Sequence, residues 1–225
     1  VLLIETPQGR YFRAIGVKDV ATCAPLDPMS HFGIGSNTKM MTAAVIYQLQ
    51  EEGLLSTSDA VSKYLPDEIA LFSRSANATI DDLLGHTAGL PDYLNSKNPE
   101  SIGSQDEDPD SGVLSTAFTP DELIARAALI QDDADQPHFS AGEPGMWQYS
   151  NTGYIMLGLI IEQVTGMPYE QAVTERIIEP LGLENTFAVT GVAQPDFGLP
   201  SQYIRSPFTY ETSGWHYSQA WSAGN

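Results

Sequence analysis

Ser36 and Lys39 stand three residues apart in the stretch HFGIGSNTKMMTAAVIYQLQEEGLL, which runs from His31 to Leu55. A serine hydroxyl is a weak nucleophile at neutral pH and needs a neighbouring base. Residues three apart on a helix share a face, so the Lys39 amine can reach the Ser36 oxygen. That amine is a base only after losing its proton. Burial disfavours the ammonium and lowers its pKa, and the apolar run that includes Met40 and Val45 is placed to supply the burial. Ser36 also opens the helix, where outward-pointing N–H groups and the positive end of the dipole stabilise an oxyanion. The pair therefore supports a serine nucleophile activated by a lysine base. The competing explanation is structural, with Ser36 capping the helix and Lys39 laying its stem along apolar surface. Two fixed positions do not decide between them. In favour of chemistry, Lys39 is the only one of the four lysines with a serine three residues before it.

A second constellation follows about 110 residues later in GEPGMWQYSNTGYIMLG, residues 142–158. Tyr149 and Asn151 precede a strongly apolar run. In extended backbone, residues two apart point the same way, so a phenol and an amide can face one cleft together. The structural alternative makes Asn151 a helix N-cap and Tyr149 a packing residue. A phosphate-loop assignment for GIGSNTK fails, because that motif needs Gly-Lys followed by Ser or Thr, and Met40 follows Lys39. His31, His86, His138 and His216 are scattered without metal-ligand spacing. His86 is assigned a structural role, capping a helix end and fixing a turn. Asp132, Asp133 and Asp135 read as a solvated loop. Cys23 is the single cysteine, so no internal disulfide forms, and it is taken as structural.

Regular elements must position these groups. VLLIE and RYFRAIGV flank the turn TPQG as a hairpin over residues 1–18. Ser36 to about Glu52 reads as a helix ending at Gly53, apolar on nearly all faces and so expected to be buried. SDAVSKYLP reads as a short helical turn stopped by Pro66. TIDDLLGHTAGLPDY reads as a helix opened by Thr79 and closed around Gly89 and Pro91. Residues 95–112 are a polar surface loop. In TPDELIARAAL, Thr119 is the N-cap, Pro120 the first helical residue and Glu122 the capping-box acid. Residues 151–166 form a strongly apolar helix, and 168–183 an amphipathic one. Beyond Phe187 the chain reads as loop-like and aromatic.

The 225 residues suit one large domain or two small ones, and 42% hydrophobic content provides for a core. A formal net charge of −19 opposes general affinity for nucleic acid or anionic membrane surfaces and favours solubility. No apolar run reaches the length of a membrane span. The start in a strand at Val1 and the ending WSAGN are abrupt, as in a fragment or one piece of a processed chain.

Together, FGIGSNTKMMTAAVIYQLQEEGLLSTSDAVSKYLP, TIDDLLGHTAGLPDY and GEPGMWQYSNTGYIMLGLIIEQVTGMPYEQAVTERIIEPLGLENT resemble the serine β-lactamase-like hydrolases. That superfamily includes class C β-lactamases, D-alanyl-D-alanine carboxypeptidases, D-aminopeptidases and related carboxylesterases. The resemblance covers roughly residues 1–190. It implies an α/β (α+β) fold of the β-lactamase/transpeptidase type, an antiparallel sheet flanked by helices with a helical subdomain. Residues 1–53 would hold the hairpin and serine helix, 54–150 the helical subdomain ending in the tyrosine loop, and 151–225 the return to the α/β domain. By resemblance Ser36 is the nucleophile and its N–H one half of the oxyanion hole. Lys39 is the base and Tyr149 the proton-returning partner, as a phenolate or a hydrogen-bonded relay. Asn151 bonds the substrate. The substrate is a small molecule or peptide bearing an amide, ester or β-lactam, with peptidase or esterase chemistry preferred. No cofactor and no metal are implied, and a periplasmic or secreted location is favoured. The family's third motif, K-T-G or H-x-G, does not follow Asn151. A C-terminal continuation or second chain is expected to supply it along with most of the sheet. A non-catalytic binding or regulatory relative is the rival expectation.

Overall fold

The computed structural model describes residues 2–19, 22–26, 31–99, 101–102, 118–190, 202–205 and 209–212. The N-terminal hairpin forms as expected: strand β1 (Leu2–Thr6) pairs antiparallel with β2 (Gly9–Arg13), Leu2 opposite Arg13 and Thr6 opposite Gly9. The Thr6 hydroxyl closes the turn by donating to the Gly9 carbonyl at 3.1 Å. Almost every hairpin side chain is exposed, including Leu2, Leu3, Ile4 and Tyr11. A second short pair, β3 (Val17–Asp19) with β4 (Ala24–Pro25), carries a register shift.

The body is helical. Helix α1 (Thr38–Glu51) follows a single 3-10 turn at Gly35–Asn37. It packs against the longest helix, here called α5 (Asn151–Thr165), and against α6 (Tyr169–Val173), which continues as a π-turn over Thr174–Ile178. Helices α3 (Ile80–Gly85) and α4 (Pro120–Leu129) pack on α5 as well. From Asn151 to Ile161 every residue of α5 except Leu159 is buried, which makes α5 the centre of the core. Each fully buried Ile or Leu there contributes roughly 1.5–3 kcal/mol over an exposed one. The capping box of α4 forms as the sequence indicates: Thr119 Oγ1 accepts from the Glu122 N–H, and the Glu122 carboxylate accepts from the Thr119 N–H at 2.7 Å.

Several expectations are corrected. Helix α1 is not buried all round: Val45, Ile46 and Leu49 are buried, but Met40 is 68% exposed and Tyr47 also faces out. The short helical turn expected before Pro66 forms, but Pro66 opens the next helix rather than stopping this one. It follows a 3-10 turn at Val61–Lys63 and starts α2 (Pro66–Ala70), where its missing N–H removes a donor that has no intrahelical partner. Helix α3 ends at Gly85 rather than near Gly89, because His86 takes the left-handed conformation, φ 59°, and closes it. Asn151 is not the N-cap of α5; Ser150 is, its hydroxyl accepting from the Gly153 N–H at 3.4 Å. The acidic loop is tied down rather than merely solvated. Asp135 accepts from the Lys97 N–H at 2.8 Å, and Asp133 from the Asn98 amide at 2.6 Å. Cys23 is exposed, with φ 53°. Past Phe187 the backbone includes a hairpin of β5 (Gln202–Arg205) and β6 (Thr209–Thr212). Part of the 95–112 loop, the WSAGN ending and His216 lie outside the described residues.

Candidate active site

The serine sits on a local device encoded by GIGSN. Gly35 takes φ +53°, a conformation that glycine adopts without strain. Asn37 then fixes the turn, with its backbone N–H and side-chain amide donating to the Ile34 carbonyl at 3.2 and 2.7 Å. Ser36 lies inside this turn and is exposed. The N-cap residue of α1 is Asn37, which makes no side-chain cap bond. The Ser36 hydroxyl pairs with the Tyr149 phenol, Oγ to Oη 2.8 Å.

Lys39, in the first turn of α1, does not reach for solvent. It is only 7% exposed, its Nζ 3.3 Å from Ser36 Oγ and 2.7 Å from Asn151 Oδ1. Its Nζ also lies 4.9 and 5.2 Å from the centroids of the Tyr149 and Tyr154 rings. Burial lowers the Lys39 pKa from 10.5 to about 8, and the nearby Asp92 charge opposes the shift. The amine is thus poised within reach of physiological pH.

Tyr149 is held by the segment around His86. The Gln148 N–H donates to the His86 carbonyl at 3.1 Å and the Ser150 N–H to His86 Nδ1 at 3.3 Å. The imidazole lies against the phenol ring, centroids 4.5 Å apart. Burial, helped by the Lys39 charge, pushes the His86 pKa down to about 4, so a neutral ring presents Nδ1 as an acceptor. His86 therefore closes α3, fixes the turn and also forms one wall of the tyrosine site. Burial raises the Tyr149 pKa, the Ser36 hydrogen bond lowers it and Asp92 raises it. The net upward direction favours a neutral phenol.

Asn151 is the first residue of α5 and is 1% exposed. Its Oδ1 faces Lys39, and its Nδ2 donates to both carboxylate oxygens of Asp92 at 3.1 and 3.2 Å. The resemblance implied contact with substrate; here both ends of the amide are engaged by protein groups. All four sequence-derived residues, Ser36, Lys39, Tyr149 and Asn151, meet in one place although 113 positions separate Ser36 from Tyr149. The Ser36 N–H belongs to the turn that leads into α1.

Two residues were missed from sequence. Asp92 is 3% exposed in the loop after α3, and Tyr154, one turn into α5, anchors its hydroxyl on the Leu84 carbonyl at 3.2 Å. The available signal for Asp92 was its place in HTAGLPDY, where it is the single carboxylate. Among the described residues no group of three or more His, Cys, Asp or Glu is arranged to hold a metal ion.

Residues 1–197 match the sequence model of the family described as Beta-lactamase. The chain is 34% identical over 157 residues to PbpX of Bacillus subtilis (strain 168), whose name carries the words penicillin-binding protein, covering 70% of this chain and 32% of that one. Among solved structures, a D-stereospecific amidohydrolase from Streptomyces sp. superposes with TM-score 0.71 at 33% identity, over 87% of this chain and 56% of that one. A penicillin binding protein from Bacillus halodurans gives TM-score 0.74 at 24% identity, over 99% and 64%, and supports the fold alone. The chain thus spans about a third of the curated relative and somewhat over half of these solved structures. The fold is the β-lactamase/transpeptidase-like one.

Proposed function

The chain belongs to the Beta-lactamase family, and from that premise we propose that it is a serine hydrolase that cleaves an amide or ester bond through an acyl-enzyme on Ser36. The observation that carries this is the buried Lys39 amine, 3.3 Å from a serine oxygen that is itself bonded to Tyr149. With Lys39 as free amine, Ser36 Oγ attacks the substrate carbonyl carbon and its proton passes to Nζ. The Ser36 N–H helps stabilise the resulting oxyanion. On collapse, the neutral Tyr149 phenol protonates the leaving amine or alcohol, and the phenolate so formed takes back the proton held by the Lys39 ammonium. Water then attacks the acyl-enzyme by the same route in reverse, releasing acid and free Ser36. Asn151 acts on Lys39 in this scheme.

The amidohydrolase name of the Streptomyces neighbour supports an amide, of peptide or amino-acid type, ahead of a β-lactam. The exposed hydrophobic hairpin supports a further segment packing beside β1 and β2, since a lone two-stranded hairpin is marginal in water. The test is covalent labelling by a fluorophosphonate probe, with turnover of a nitrophenyl ester, a D-amino-acid amide and a chromogenic cephalosporin. Wild type is expected to label at Ser36 and to turn over the amide or the ester faster than the cephalosporin, and Ser36→Ala to do neither. Equal labelling of wild type and Ser36→Ala sinks the proposal. Absence of labelling in both points to a non-catalytic binding protein.

A further inference from the structure

We propose that Asp92 is a positioning residue for acyl transfer, its carboxylate locking the Asn151 amide so that Oδ1 faces and holds the Lys39 amine. This rests on the hydrolase reading and adds a component to it. An asparagine side chain can be placed either way round, and only its partners choose. Here Nδ2 meets both oxygens of Asp92 and Oδ1 meets Lys39 Nζ at 2.7 Å. Flipping the amide would set its NH2 against the lysine ammonium and its oxygen against the carboxylate, two repulsions in a buried site. Asp92 is itself held in place. It accepts from the Leu94 N–H at 3.1 Å and the Asn95 amide at 2.7 Å, while its own N–H donates to Gln136 Oε1 at 2.8 Å. The Ser150 hydroxyl donates to the Pro91 carbonyl at 3.1 Å, which ties the Asp92 loop to the residue between Tyr149 and Asn151.

The same carboxylate acts on Lys39 through charge. It opposes the lowering caused by burial, so its loss should drop the lysine pKa further. The other titratable groups facing the amine are His86 at the end of α3, Tyr149 in the loop before α5 and Tyr154 on α5. Tyr169, on α6, faces Thr42 on the next turn of α1, Oη to Oγ1 2.8 Å.

The experiment measures fluorophosphonate labelling of Ser36 against pH for wild type and Asp92→Asn, per folded molecule. The variant is expected to lose about tenfold in plateau rate and to shift its midpoint to lower pH by about one unit. A purely structural role would reduce the folded fraction and leave the midpoint alone. An unshifted midpoint with an unchanged plateau overturns the proposal while leaving the hydrolase reading intact; a wild type that does not label at Ser36 removes both. Should Asp92→Asn not fold, NMR of the Asn151 side-chain amide in the unmutated chain decides. Its protons should exchange slowly with water and shift as Lys39 titrates near pH 8. Fast exchange and no response to pH would overturn the assignment.

Discussion

The clearest quantitative consequence concerns the charge of one buried amine. Lys39 at about 8 instead of 10.5 offers roughly 300 times more free base at pH 7 than a solvated lysine. If that amine takes the Ser36 proton, the acylation rate below pH 8 should climb about tenfold per pH unit and level off above it. The assay is pre-steady-state labelling by a fluorophosphonate probe or the burst of a nitrophenyl ester, followed over about pH 5.5 to 10. The sign is fixed by the chemistry: protonation inactivates, so the acid limb falls. Lys39→Arg provides the control, since a guanidinium stays charged throughout this range. It should lie at least about a thousandfold below wild type, without a rise at pH 8. A wild-type profile flat between pH 6 and 9, or one rising only above pH 10, would refute the use of Lys39 as the base. So would an arginine variant that retains the same limb.

Two further outcomes test the frame around the site. Gly89 has φ +66° and a Cβ there would press into the Phe139 carbonyl, so Gly89→Ala should cost on the order of 3 kcal/mol in urea unfolding; a loss below about 0.5 kcal/mol would show that the loop yields freely. His86 has a folded pKa of about 4 against an ordinary 6.5, so the unfolded chain takes up its proton first as pH falls. Its contribution to stability is complete above pH 6.5 and is lost as pH falls towards 4, and His86→Gln should flatten that part of the stability curve. An acid limb identical in wild type and variant would contradict the buried neutral imidazole.

What was legible in the sequence was local. Ser36 and Lys39 could be paired because three residues on a helix define a distance, and Tyr149 and Asn151 because two residues of extended chain define a direction. The Thr119 capping box could be read because all its atoms lie within one turn of α4. The failures were questions of tertiary placement. An apolar run covering all sides of α1 does not say that Met40 will face out, because that depends on where α5 and α6 lie. The end of α3 was placed near Gly89 because glycine is the usual left-handed residue; His86 takes that conformation earlier, and histidine is among the residues that tolerate it. Asp92 belongs to no spacing motif that assigns it a role. Its role depends on burial and on two partners, Asn151 and Gln136, that lie 59 and 44 positions away.

The chemistry follows from how unequally the same burial treats the groups around Ser36. Removing a lysine from water disfavours its charged form, and removing a tyrosine from water disfavours its ionised form, so one shared environment moves Lys39 down and Tyr149 up. Asp92 pushes both upward: it restores some basicity to the amine and makes the phenol a still weaker acid. Without burial the lysine would remain an ammonium at neutral pH. With burial alone it could fall far enough to become a poor proton acceptor, since deeply buried lysines reach roughly pH 5–6. The carboxylate behind Asn151 offsets part of that lowering. In the proposed mechanism, of Lys39 and Tyr149, both within hydrogen-bond reach of the serine oxygen, Lys39 is the base near neutrality and Tyr149 the proton donor. That division of labour requires no phenolate at rest, and it places the direction of proton flow in the arrangement of α1, the tyrosine loop and α5.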